Sequence, residues 1–90
     1  MKTDKELKLT GTVVPGDWDE RANVIGVAIR TRKGQEYLVD RNKLGKELLA
    51  LLEKTIEVMG TVREHEDGYM VVNVKKYEVT RKYPEDVEPY

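Results

Sequence analysis

A chain that cleaves, transfers or oxidises needs a nucleophile, a base or a metal cage, and this one offers little toward any of them. His65 is the only histidine, and it stands between Glu64 and Glu66. An imidazole so placed could titrate near neutral pH or act as a weak metal ligand. In a polar EHEDG turn, however, its ordinary place is in solvent. Serine and cysteine are both absent, so the usual nucleophile–base pairs cannot be assembled. Disulfides and Cys-based zinc or iron–sulfur sites are excluded as well. Neither GxxxxGK[ST] nor GxGxxG occurs, which removes the common phosphate-cradling loops. We therefore expect no enzyme, no catalytic residue, no bound metal and no cofactor.

Recognition chemistry is better represented. If Lys33-Gly34 makes a two-residue hairpin turn, Arg32 faces Gln35, Arg30 faces Tyr37 and Ala28 faces Val39, all on one outer surface, with Ile29 and Leu38 pointing inward. A guanidinium beside an aromatic ring is the pair a single-strand groove uses, where stacking is worth about 1–3 kcal/mol per base. The plainer reading is that Arg30 covers Tyr37 by cation–π contact, worth about 0.5–1 kcal/mol at an exposed site. A loop one residue longer would turn Tyr37 inward and abolish the patch. Trp18, in the polar stretch PGDWDERAN, is either an anchor for a partner or a lid folded onto the core. Because the chain has no Phe and needs bulk, the lid is the favoured expectation. Candidate ligand-binding residues are thus Trp18, Arg30, Arg32, Lys33 and Tyr37.

The elements that must position these residues are written in a repeat. LKLTGTV at Leu7 to Val13 and IEVMGTV at Ile56 to Val62 share one pattern: apolar, charged, apolar, variable, Gly, Thr, Val. Apolar residues at every second position mark a half-buried strand. Gly11 and Gly60 fall on the inward parity, where a missing side chain permits a sharp bend or a close backbone approach. Strand 1 is expected over Leu7 to Val14, ending at Pro15-Gly16, a strong turn signal. Strand 2 is expected over Val24 to Arg32 and strand 3 over Gln35 to Asp40. Asn42 or Gly45 then starts a helix, in which Leu44, Leu48, Leu51 and Leu52, broadened by Leu49, form an apolar stripe. Strand 4 covers Thr55 to Arg63 and strand 5 Tyr69 to Val79. In strand 5, Lys76 breaks the alternation, and a bulge near Lys75-Lys76 would restore it. Residues 1–6 read as a frayed start and 81–90 as an extended acidic tail.

Ninety residues make one domain. Charged residues reach 37%, with regularly spaced apolar positions between them, which describes a well-solvated surface rather than disorder. The net charge is −1; up to residue 82 there are 16 cations against 14 carboxylates, and Glu85, Asp86 and Glu88 supply the deficit. A dedicated nucleic-acid binder usually carries a clear basic excess. No apolar run approaches membrane-spanning length, and MKTDKELK has no apolar signal core, so the cytoplasm is the expected location.

The order β-β-β-α-β-β, the inward Gly11 and Gly60, the YLVD strand and the leucine-rich helix resemble the OB-fold superfamily over residues 7–80. In particular they resemble the small stand-alone bacterial OB-fold proteins of unassigned function. The resemblance implies an all-β fold with one short helix, a five-stranded Greek-key barrel. It also implies a cleft on the strand 2–3 face, flanked by the loops joining strands 1–2 and 4–5. Those loops hold Asp17, Asp19 and Glu20, and Glu64, Glu66 and Asp67. Carboxylates beside a groove repel phosphates. Converging, they could hold Ca²⁺, but D-W-D-E lacks the D-x-D-x-D-G ligand order. The expected function is a protein-interaction or accessory module. The alternative, disfavoured by the acidic loops, is weak binding of single-stranded nucleic acid on the strand 2–3 face. No membrane partner is expected, and the oligomeric state is not legible.

Overall fold

The computed structural model describes residues 5–80. It is a mostly β fold with one short helix, and five strands close in the order β1-β2-β3-β5-β4. The strands are β1 (Lys5–Trp18), β2 (Val24–Arg30), β3 (Glu36–Val39), β4 (Thr55–Glu64) and β5 (Met70–Thr80). All neighbours pair antiparallel except β3 and β5, which run parallel.

β1 is long because it serves two ladders. Its first half, Lys5 to Thr12, pairs with β4, and from Thr12 to Trp18 it pairs with β2. Val14 lies opposite Ala28, Ala28 opposite Leu38, Leu38 opposite Val71, and Val71 opposite Arg63. Arg63 follows Val62, which pairs with Lys5, so one circuit returns to β1 about ten residues upstream of its start. A shear of that size tilts the strands strongly and leaves a narrow interior that side chains can fill.

The filling is aliphatic. Leu9, Val13, Val27, Ile29, Val39, Ile56, Val58, Val62, Val72 and Val74 are buried together, and Leu48 joins them fully buried. The inward glycines have the expected role. A side chain on Gly11 would strike the Arg30 carbonyl and Ile29, and one on Gly60 would strike the Asn73 carbonyl. Opposite Gly60 the β4–β5 register shifts: Met59 faces Lys76 and Gly60 faces Val74. Lys75 is therefore the extra residue of a bulge that returns Val72 and Val74 to the interior.

Four expectations are corrected. Lys5 and Glu6 are not frayed but paired in β1 with Val62 and Thr61; residues 1–4 and the expected tail, 81–90, lie outside the described residues. β1 does not stop at Pro15-Gly16; the register shifts there and the strand continues to Trp18. The backbone of Val13 bonds toward Lys54 and Glu53, so Pro15, two residues on, aims its missing N–H to that same side, past the start of β4. The helix is shorter than the leucine stripe implies. α1 covers Lys43–Glu47 and gives way to a 3₁₀ turn at Leu48–Leu51. Asn42 is the N-cap, its side chain accepting from the Gly45 N–H at 2.8 Å. The tightening seats Leu48 in the barrel, with Leu44, Leu49, Leu51 and Leu52 packed around it. Finally, the β2–β3 register differs by one residue, which reshapes the outer face.

Candidate binding face

The β2–β3 connection is a three-residue loop. Thr31 and Gln35 close it, with Thr31 N–H donating to Gln35 C=O at 2.9 Å and Gly34 N–H donating to Thr31 C=O at 2.9 Å. Gly34 takes φ +89°, the left-handed step that ends a type I turn in this loop class. Arg30 consequently faces Glu36, Ile29 faces Tyr37 and Ala28 faces Leu38. Tyr37 shares the parity of Ile29 and packs, half-buried, against the core. Leu38, expected inward, lies instead on the outer parity with Ala28. Arg30 donates to Glu36 through Nε at 3.0 Å and Nη2 at 2.8 Å. The expected Arg30–Tyr37 platform does not form. Arg32 and Lys33 sit exposed in the loop that follows Arg30.

A different aromatic occupies the outer face. The β4–β5 loop repeats the same closure: His65 N–H donates to Tyr69 C=O at 2.8 Å, Gly68 N–H donates to His65 C=O at 2.8 Å, and Gly68 takes φ +97°. His65 and Tyr69 are thereby set across from one another, their rings stacked at 4.4 Å and 10°. Asp67 N–H donates to His65 Nδ1 at 3.1 Å, so His65 is half-buried and held rather than a free solvated group. Tyr69 is on the parity of Val71, which adjoins Leu38. Beneath the stack runs an apolar row in which Ala28 and Val71 are buried and Val14 and Leu38 half-buried. The spacing His-x-x-Gly-Tyr was the available signal for this pair, because a three-residue loop with Gly at its third position makes its flanking residues cross-strand neighbours.

Arginines and carboxylates rim the row. Asp40 accepts from Arg63 Nη1 at 3.1 Å and Nη2 at 3.2 Å, and from Asn73 Nδ2 at 3.2 Å. The Arg63 hydrogen bonds hold the Asp40 carboxyl below its ordinary value, more than partial burial raises it. Asn73 in turn accepts from the side chain of the helix cap Asn42 at 3.3 Å. Next along the chain, Arg41 donates to Asp17 at 3.1 Å. The path from the β1–β2 loop to β4 is thus a run of paired charges, and two of the carboxylates there are occupied by guanidinium groups.

Trp18 stands at the end of this run, opposite Val24. It is 52% exposed, so it is no lid on the barrel; Leu48 and its neighbours already supply the bulk at the helix-capped end. The loop it borders is rigidly built. Asp19 Oδ1 accepts from the N–H groups of Arg21 at 2.8 Å and Asn23 at 2.9 Å, and Oδ2 accepts from the Asn23 amide at 3.2 Å. Those bonds, the Asn23 backbone N–H first, lower the Asp19 carboxyl. A shallow depression of about 420 Å³ lies against Trp18, Asp19, Glu20 and Arg21.

Lys75 and Lys76 are exposed on the β1–β4–β5 side and do not extend the Arg30 surface. Among the described residues, no three His, Asp or Glu side chains gather as a metal cage, and no helix is long and apolar enough to cross a membrane. Compared with protein-family models, with curated proteins and with solved structures, the chain gives no significant match.

Proposed function

We propose that this chain is an OB-type barrel acting as a non-enzymatic binding module for a protein partner, with Trp18 as the anchor. The strand order with its parallel β3–β5 contact, the helix between β3 and β4, and the shear of about ten residues support the Greek-key reading. The observation that carries the function is the exposed indole on a pre-formed loop. Large aromatics held rigidly at a surface lose little entropy on binding and dominate interface energetics. Asp17 and Asp19 are already hydrogen-bonded, so the neighbouring polar rim is also pre-organised. The test is capture from nuclease-treated cell extract by the wild-type chain and by Trp18→Ala. A protein held by the first and lost by the second is the expected outcome. Recovery of no protein, or of the same proteins by both, contradicts the reading.

A second reading, weak single-strand binding, draws on one observation: the half-exposed Tyr69 ring beside Leu38, Val71 and Arg63. Against it, Arg30 is neutralised by Glu36 and Tyr37 has left the face. Salt-sensitive amide shifts around Tyr69 on titration with oligo-dT or oligo-U would favour it, and their absence removes it.

A further inference from the structure

The N-terminal half of β1 has a neighbour on one side only. From Lys5 to Gly11 it pairs with β4, while β2 joins its other side only at Thr12. The orientation of the backbone follows from Val13, whose N–H donates to Lys54 at 2.9 Å and whose carbonyl accepts from Glu53 at 2.7 Å. Odd-numbered residues of β1 therefore bond toward β4. Even-numbered ones, Glu6, Lys8 and Thr10, direct N–H and C=O to the open side. No described strand meets them there.

An open edge is a template for another strand, and this one carries a self-complementary message. Glu6, Leu7 and Lys8 are all exposed, with Leu7 38% accessible although it lies on the inward parity. If a second copy runs antiparallel with the two-fold axis at Leu7, Glu6 faces Lys8 of the other copy and Lys8 faces its Glu6. Both pairs are of the hydrogen-bonded kind, so the backbone closes four bonds. Leu7 then meets its own symmetry mate in a non-hydrogen-bonded pair, where side chains approach most closely. An axis at Glu6 or at Lys8 would instead set like charges face to face. An axis at Leu9 would place Leu7 against Gly11 and Lys8 against Thr10, with no charge pairing. The present ion pairs of these side chains are long, Lys8 to the half-buried Glu57 at 3.8 Å and Lys75 to Glu6 at 3.7 Å. Such contacts hold a surface charge only weakly.

We propose that the β1 edge, Glu6–Leu7–Lys8, is a self-pairing surface through which two copies form an antiparallel dimer, joining their β5–β4–β1 sheets into one. It lies apart from Trp18, so the monomer's partner binding does not depend on it.

Sedimentation of the full chain from micromolar to millimolar concentration tests this. The wild type should show a reversible dimer whose share rises with concentration. Glu6→Lys and Lys8→Glu each place like charges opposite twice per dimer and should weaken association about ten-fold. The double variant Glu6→Lys/Lys8→Glu restores opposite charges in swapped order and should recover the dimer. All four proteins should keep the wild-type circular dichroism, since these positions are exposed. A wild type that stays monomeric throughout overturns the proposal. So does a dimer indifferent to the single substitutions, or a double variant as weak as the singles.

Discussion

Ala22 holds a backbone conformation that glycine fills in the two sister loops. Its N–H donates to Asp19 C=O at 3.0 Å while Asp19 N–H donates to Asn23 C=O at 2.9 Å. This is the same closure seen at Thr31–Gln35 and His65–Tyr69. Where those loops use Gly34 and Gly68, this one places Ala22 at φ 69°, which costs a β-carbon about 1–2 kcal/mol. Ala22→Gly should therefore raise stability in urea by about 1 kcal/mol, offset in part by the greater freedom of an unfolded glycine; a loss would contradict the loop geometry. Asp40 makes the second prediction at this scale. Its carboxyl is lowered chiefly by Arg63, so its contribution is present above the unfolded value of about 3.9 and fades as pH falls through the lower folded value. Asp40→Asn should lose under about 1 kcal/mol at neutral pH, and the difference from wild type should shrink below about pH 4. A difference that grows on acidification would refute the assignment.

Among the elements, the helix shows best what spacing can and cannot specify. Leucines at three- and four-residue intervals announce an apolar stripe but not its depth, and only Leu48 is fully buried while Leu44, Leu49, Leu51 and Leu52 surround it. Leu48→Ala should destabilise the fold by about 2–5 kcal/mol in chemical denaturation, whereas a cost near zero would mean that the plug does not seal the barrel. Strand parity, the two inward glycines and the Lys75 bulge were legible because period-two alternation has one solution wherever one face is buried. The β2–β3 loop was not. Lys33-Gly34 suits a two-residue turn and equally the end of a three-residue one, since both require positive φ at glycine. Only the partners across the ladder separate the two, and Arg30 opposite Glu36 satisfies a charge that Arg30 opposite Tyr37 would not.

For the whole molecule, that single residue of loop length redistributes the aromatic surface. Turning Tyr37 inward adds its ring to that of Tyr77 against the aliphatic core and strips the outer β2–β3 face of its ring. Among the described residues, outward aromatic surface is left to Tyr69, stacked on His65, and to Trp18 at the end of β1. Of the candidates read from the chain, Trp18 alone keeps a recognition role in the proposed mode. Arg30 is paired with Glu36, and Tyr37 no longer lies on the outer face near Arg32 and Lys33. The face that replaces them needed three-dimensional information, because Leu38, Val71 and Arg63 come from three strands whose parallel and antiparallel registers no local pattern encodes. Open backbone remains at the start of β1, where association is proposed, and along β5 beyond Val72, which pairs with β4 alone.

The β2–β3 register decides whether the outer face can be an aromatic platform, and nuclear Overhauser contacts between α-protons read it directly. Residues 31 and 35 form a hydrogen-bonded pair, so Arg30–Glu36 and Ala28–Leu38 are non-hydrogen-bonded pairs whose α-carbons approach to about 4.5 Å. Strong α-proton contacts are predicted for those two pairs in isotope-labelled protein. Contacts between Thr31 and Glu36 and between Ile29 and Leu38 in their place, the non-hydrogen-bonded pairs of a two-residue turn at Lys33-Gly34, would return Tyr37 to the outer face and contradict the account.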